Sequence, residues 1–246
     1  MPDKPVPDQP EPHRPEPELA PLAIATWPEV DRSARRLLIL PLGSIEQHGP
    51  HLPLDTDTVI ATHLAEQVHQ RFPQVGLAPP MPYGASGEHR DFPGTLSIGT
   101  EALTAVLVEF VRHASTSWRQ VLVINGHGGN AAALAHAAEL LRIEGRSMTV
   151  QHAASGGERA DPHAGYRETS LMLHLAPATV RAEMFEAGNT ASLVELLPLL
   201  RTGGVRQVSG NGVLGDPTGA NGEAGSRIFA AMVAAVIAQA GRLLSS

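Results

Sequence analysis

The stretch "LLILPLGSIEQHGPHLPLDTDTVIATHL", Leu37 to Leu64, decides the architecture of this chain. It opens as a continuous apolar run, Leu37–Gly43, that ends in turn chemistry. A strand buried on both faces reads this way; a strand with one solvated face would alternate. Ile60, Leu64, Val68 and Phe72 then recur every four residues, the stripe of a helix. Between strand and helix stand Glu46, His48, His51, Asp55 and Asp57, punctuated by Gly43, Gly49, Pro50 and Pro53. A solvated charge run would carry lysines, and this turn has none. Its residues point to chemistry.

The same alternation continues outward. "QVLVINGH" (Gln120–His127) reads as a second buried strand, and "SMTVQHA" (Ser147–Ala153) as a weaker third. "GLAPPMPYG" is an irregular or edge strand at best, because its prolines cannot donate to a ladder. Leu103, Leu107, Phe110 and Val111 mark a helix after an expected Thr100 N-cap, and "AAALAHAAELLRIEG" another that stops at Gly145. "ETSLMLHLAP" and "EAGSRIFAAMVAAVIAQAGRLL" complete the helices. Strands alternating with helices predict an α/β fold, a three-layer αβα sandwich around a mostly parallel sheet. Sites in such sheets gather beyond the carboxyl ends of the strands. Residues 1–20, where proline alternates with charge, are expected to be a disordered tail before a single domain, residues 21–246.

Composition excludes several classes. The net charge of −7 comes from 18 Lys+Arg against 25 Asp+Glu, with no basic run longer than Arg35-Arg36, so no nucleic-acid partner is expected. Without cysteine there is no disulfide, thiolate ligand or thiol nucleophile, which fits a reducing cytoplasm. The N-terminus lacks the apolar core of a signal peptide. "IFAAMVAAVIAQA", from Ile228, falls short of the ~20 residues of a membrane span, so a soluble protein is expected.

The polar clusters follow the strands. Glu46 and His48, at i and i+2, leave an extended chain on one side. Asp57 precedes the helix and can turn back toward them; His127 closes the second strand in "NGHGGN"; His163 and Glu168 lie in "DPHAGYRETS". Imidazole and carboxylate without sulfur suit zinc, iron or manganese, and a carboxylate-bridged pair of ions activates water against a carbonyl. Of the 12 histidines, His13, His63, His69, His136 and His152 lack acidic partners in pattern and read as structural or solvent-facing. His51 is either an outer partner of a liganding group or a turn residue. Asp55 and Asp161 read as turn or N-cap residues. "NGHGGN" alone is also compatible with a phosphate cradle, but neither phosphate-binding glycine motif is complete. Ser86 stands in no G-x-S-x-G elbow.

"GSIEQHGPHLPLDTD", "YGASGEHRDFPGTLSIG", "NGHGGN" and "HAGYRETS", in that order, resemble the creatininase family of metal-dependent amidohydrolases over residues 34–244. The resemblance implies that Glu46, His48, Asp57 and His127 hold two divalent ions, Fe²⁺ and/or Zn²⁺ with Mn²⁺ also compatible, Asp57 bridging. Creatininase itself carries glutamate two residues after the histidine of the third motif, where this chain has Gly129. Glu168 is therefore the expected source of the missing carboxylate, as ligand or base, and His163 the proton donor to the leaving amine. "SGNGVLGDPTGA" and "AGN" (187–189) resemble the peptidase branch of the family found in the mycofactocin system. That branch implies a modified precursor peptide as substrate, cut to release its cross-linked C-terminal Val-Tyr unit; the family resemblance implies a ring-like homo-oligomer. The alternative within the family is hydrolysis of a cyclic amide such as creatinine, or of a formamide. "GASGEHRDFPGT" and "GGVRQVSGNGVLGDPTGAN", with Arg90, Phe92 and Arg206, are the loops expected to select the substrate.

Overall fold

Side chains alternate across a strand, and in Leu37–Leu42 (β1) the alternation sorts them between two helical layers. Leu38, Leu40 and Leu42 join one core with Leu103, Leu107, Leu134 and Leu141. Leu37 and Ile39 join the other with Leu64, Val68, Leu171 and Val236. Gln120–Asn125 (β3) divides the same way, Val121 and Val123 against Leu122 and Ile124. Each fully buried leucine contributes about 1.5–3 kcal/mol, so the two faces hold the sheet from both sides. The result, in a computed structural model that describes residues 17–153 and 161–246, is the expected αβα sandwich.

Gly99–Ala114 (α3) and Ala131–Ile143 (α4) supply one outer layer. Thr56–Arg71 (α2), Tyr166–Leu175 (α5) and Gly222–Ser245 (α7) supply the other; Trp27–Arg32 forms the short α1. The strand order is β2-β1-β3-β4, every neighbouring pair parallel, with Gly76–Leu77 as β2 and Met148–His152 as β4. From β1 the chain crosses to one side for β2 and returns to the other for β3. This reversal opens a crevice at the carboxyl ends of β1 and β3, where Glu46 and His127 follow.

Glycine lets α2 settle directly onto those strand ends. A Cβ on Gly43 would stand 2.5 Å from the backbone nitrogen of Thr58, and one on Gly126 would strike the carbonyl oxygen of Asp57.

Four expectations need correction. Leu19 is buried in the core and its N–H donates to Pro73, so the tail cannot run to residue 20; residues 1–16 lie outside the described residues. An apolar side chain with a docking site overrides the proline-rich composition around it. Thr100 does not cap α3, which begins at Gly99 (φ +78°) after Ile98. The segment read as a long glycine-rich loop is in its first part helical: Leu193–Val208 forms α6, kinked at Gly204 (φ +70°) and carrying Pro198. Finally, α7 is longer than its apolar run and is the one helix among the described residues long and apolar enough to cross a membrane by length and composition. Its Met232, Val236 and Ala240 are nevertheless buried in the core with α2 and α5.

Candidate metal centre

Beyond β1 the chain folds back on itself, with the Glu46 N–H donating to the Leu54 carbonyl at 3.0 Å and His48 bridged to Leu52. That hairpin turns Glu46 and His48 inward, both fully buried, to meet Asp57 in the first turn of α2. His48 Nε2 lies 3.3 Å from Asp57 Oδ1 and 4.0 Å from Glu168 Oε2. His127 Nδ1 lies 3.3 Å from Asp57 Oδ2, and its Nε2 3.1 Å from Glu46 Oε2. Each oxygen of Asp57 thus faces a different imidazole. Among the described residues, three groups have ligand atoms within 4.8 Å of one another: Glu46–Asp57–His127 and His48–Asp57–Glu168, which share Asp57, and Glu46–His48–His163.

Both oxygens of Glu46 are buried without a hydrogen-bond partner. An ionised carboxylate in that state is costly unless a cation completes it. Hard oxygen and imidazole donors at this spacing make a binuclear site for divalent ions. Ser44 supports the shared ligand by donating its hydroxyl to Asp57 Oδ2 at 2.6 Å.

Without ions, protons take their place. Burial opposes the charge of His48, yet Asp57 overcomes it and raises its pKa to about 10. His127 is likewise raised, against burial, by Glu46 and Asp57. Burial also opposes the charge of Glu46, but His127 and His89 hold its carboxyl down to about 2. Glu168 moves the other way, to about 7, because burial outweighs His48. His163 and His89 are both depressed, burial first, His89 to about 4.

The structure brings together every residue singled out for the site: Glu46, His48, Asp57, His127, His163 and Glu168. Glu168 is held by the Ala164 N–H at 2.6 Å, and His163 is locked by paired backbone hydrogen bonds with Leu214. His51 is an outer partner: its Nε2 meets the Thr169 hydroxyl at 2.8 Å, beside Glu168. Asp55 is the residue before α2, and Asp161 accepts from the Tyr166 N–H at the start of α5. His63 and His69 make local hydrogen bonds, His152 meets the Asn125 amide on the neighbouring strand, His136 is exposed, and His13 lies outside the described residues.

Three residues escaped the sequence reading. His89 Nε2 lies 3.5 Å from Glu46 Oε1, and Glu88 Oε1 lies 3.6 Å from His127 Nε2. Glu88 occupies the space that any side chain at Gly129 would need, so the glycine of "NGHGGN" admits a carboxylate from another segment. Gln47 contacts both His89 and His163. The signal was present in "EQH" and "GEH", where residues that can ligate or donate adjoin an expected turn.

The cluster opens into a cavity of about 390 Å³. Leu193, Leu197, Leu200, Arg201 and Val205 of α6 form its wall with Leu214. Arg90, Phe92 and Arg206 do not line it; the Arg206 guanidinium stacks over the Phe92 ring at 4.9 Å.

Residues 23–240 match the family described as creatininase, creatinine amidohydrolase. The chain belongs to the creatininase family. It is 55% identical over 205 residues, 80% of this chain and 81% of the relative, to the mycofactocin precursor peptide peptidase of Mycobacterium tuberculosis (strain ATCC 25618 / H37Rv). It is 29% identical over 135 residues to creatinine amidohydrolase of Pseudomonas putida, covering 51% of this chain and 52% of that one. The crystal structure of creatinine amidohydrolase (creatininase) shares the fold, with a TM-score of 0.74 and 23% identity over 92% of this chain and 98% of that one. As a creatininase-family protein with a binuclear site, the chain is a metal-dependent amidohydrolase.

Proposed function

We propose that this amidohydrolase is a peptidase that cuts the modified mycofactocin precursor peptide near its C-terminus, releasing the cross-linked Val-Tyr unit. The observation that carries the chemistry is the meeting of two ligand groups at Asp57. The substrate rests on the 55% identity to relatives bearing that activity in their name. The apolar wall of α6 fits a substrate with aliphatic and aromatic bulk.

Two divalent ions at these seats would polarise the scissile carbonyl and make water nucleophilic near neutral pH. Glu46, Asp57 and His127 hold one seat, and His48, Asp57 and Glu168 the other. His163 is neutral, with Nδ1 directed at the cluster 3.6 Å from Glu46 Oε1. It accepts a proton from water and passes it to the departing nitrogen, so that amide and water become acid and amine. The homo-oligomer that the family resemblance implies is tested by sedimentation.

Mass spectrometry of the modified and unmodified precursor after incubation tests the reading. Cleavage of the modified peptide, abolished by a chelator while far-UV dichroism stays native, is the expected result. Rapid hydrolysis of creatinine or a formamide with the peptide left intact would overturn it.

A further inference from the structure

Gln47 sits between Glu46 and His48, and its side-chain amide and main-chain carbonyl are all engaged around the site. Its Oε1 accepts from the Gly49 N–H at 2.8 Å, and its Nε2 donates to the Gly212 carbonyl at 3.0 Å. Rotating the amide by half a turn would set oxygen against oxygen and N–H against N–H, so only one orientation is satisfied. In that orientation the second Nε2 hydrogen has two ring nitrogens in reach, His89 Nδ1 at 2.9 Å and His163 Nε2 at 3.1 Å. The latter is committed as a donor to the Gln47 carbonyl, so the hydrogen falls to His89 Nδ1. His89 Nδ1 must therefore accept, which places its ring proton on Nε2, facing Glu46 Oε1 and the cavity. The backbone carbonyl of the same residue stands 2.8 Å from His163 Nε2. A carbonyl only accepts, so His163 carries its proton on Nε2 and leaves Nδ1 bare toward Glu46.

We propose that Gln47 is a positioning residue that gives two buried histidines opposite roles, His89 as a hydrogen-bond donor into the cavity through Nε2–H and His163 as an acceptor through Nδ1. The amide side chain sets the first and the main chain sets the second. The segment 209–215 completes the device, because Gly212 fixes the amide and Leu214 fixes the His163 backbone. Gly188 and Asn189 in turn tie this segment down through Gly215 and Val213. The inference rests on the functional reading only for its effect on turnover; the proton positions stand on hydrogen bonding alone.

Nitrogen-15 spectra of the histidine-labelled, ion-free full chain report which ring nitrogen bears the proton. The native chain is expected to show His89 and His163 both protonated on Nε2. In Gln47→Glu the side chain no longer donates, so the His89 proton should move to Nδ1 while His163 keeps its own. With ions restored, that variant should lose turnover by ~10–100-fold, the usual cost of an outer partner, with KM little changed. A native spectrum with His89 protonated on Nδ1 would overturn the proposal without any variant. So would an unmoved His89 in a folded Gln47→Glu chain. Failure of the peptide to be cut by the native chain, with both tautomers as assigned, would instead count against the substrate reading alone.

Discussion

The floor of the cavity and its wall are built on opposite terms. On the floor, Glu46, His48 and Asp57 are at most 2% exposed, on strand ends and a helix turn packed against glycine backbone. The wall is α6, with Leu193 45% and Val194 78% exposed, Pro198 inside it and a break at Gly204. Rigid elements fix charged groups to within fractions of an ångström, whereas a kinked and exposed helix can change its side chains without disturbing them. In the proposed function, chemistry belongs to the floor and choice of substrate to the wall.

Substitutions on the floor should be the most damaging. Asp57→Ala removes the ligand common to both groups, so metal analysis should find both ions lost and turnover down by several orders of magnitude, on the order of 10³-fold or more. Glu168→Gln touches one group only and should leave about one ion per chain by the same assay, since Glu46, Asp57 and His127 are intact. Two tightly held ions in that variant would remove Glu168 from the ligand set.

The support beneath the floor comes next. In Gly126→Ala the new methyl meets the Asp57 carbonyl and α2 must lift from the sheet. Overpacking of this kind costs about 1–3 kcal/mol, readable as a lower denaturation midpoint together with weaker ion binding. Loss of stability with ion affinity unchanged would show that Asp57 does not depend on that contact.

Acidity sharpens the comparison without a mutation. His48, raised to about 10, and His127, also raised, are protonated at pH 7 in the ion-free chain. Divalent ions must displace those protons, so affinity should fall as pH drops and rise toward pH 10. Calorimetry in buffers of different ionisation enthalpy should register net proton release on ion uptake. Uptake without proton release would contradict the charge assignment.

The wall should give the smallest effects. Arg201 lines the cavity with no hydrogen bond or ion pair among the described residues. Arg201→Ala is expected to change KM by about tenfold or less, the worth of an exposed charge contact, with kcat and ion content preserved. A large fall in kcat would move Arg201 from selection to chemistry.

What could be read in advance follows the same division. Glu46, His48 and Asp57 lie within a dozen residues, each beside an obvious strand or helix, so local pattern was enough to place them. Glu168 was identified because a carboxylate was missing, and the fold brings it to His48 and Asp57. Glu88 and His89 were passed over because their segment has no apolar period and reads as loop; only tertiary folding turns it into the site. α6 was missed because Pro198 and Gly203-Gly204 break the usual helix pattern. Leu19 was hidden among prolines, since whether a single leucine docks depends on the partner surface and not on its neighbours.

The hydrogen bond from Gln47 to Gly212 spans 165 positions of the chain. A ribosome releases Glu46, His48, Asp57 and His127 long before it reaches the segment that fixes Gln47 and His163. Four of the five seat residues are therefore encoded early, and Glu168, His163 and the segment that fixes Gln47 late. A chain that ended before residue 209 would lack both the carbonyl that fixes the Gln47 amide and the backbone partner that fixes His163.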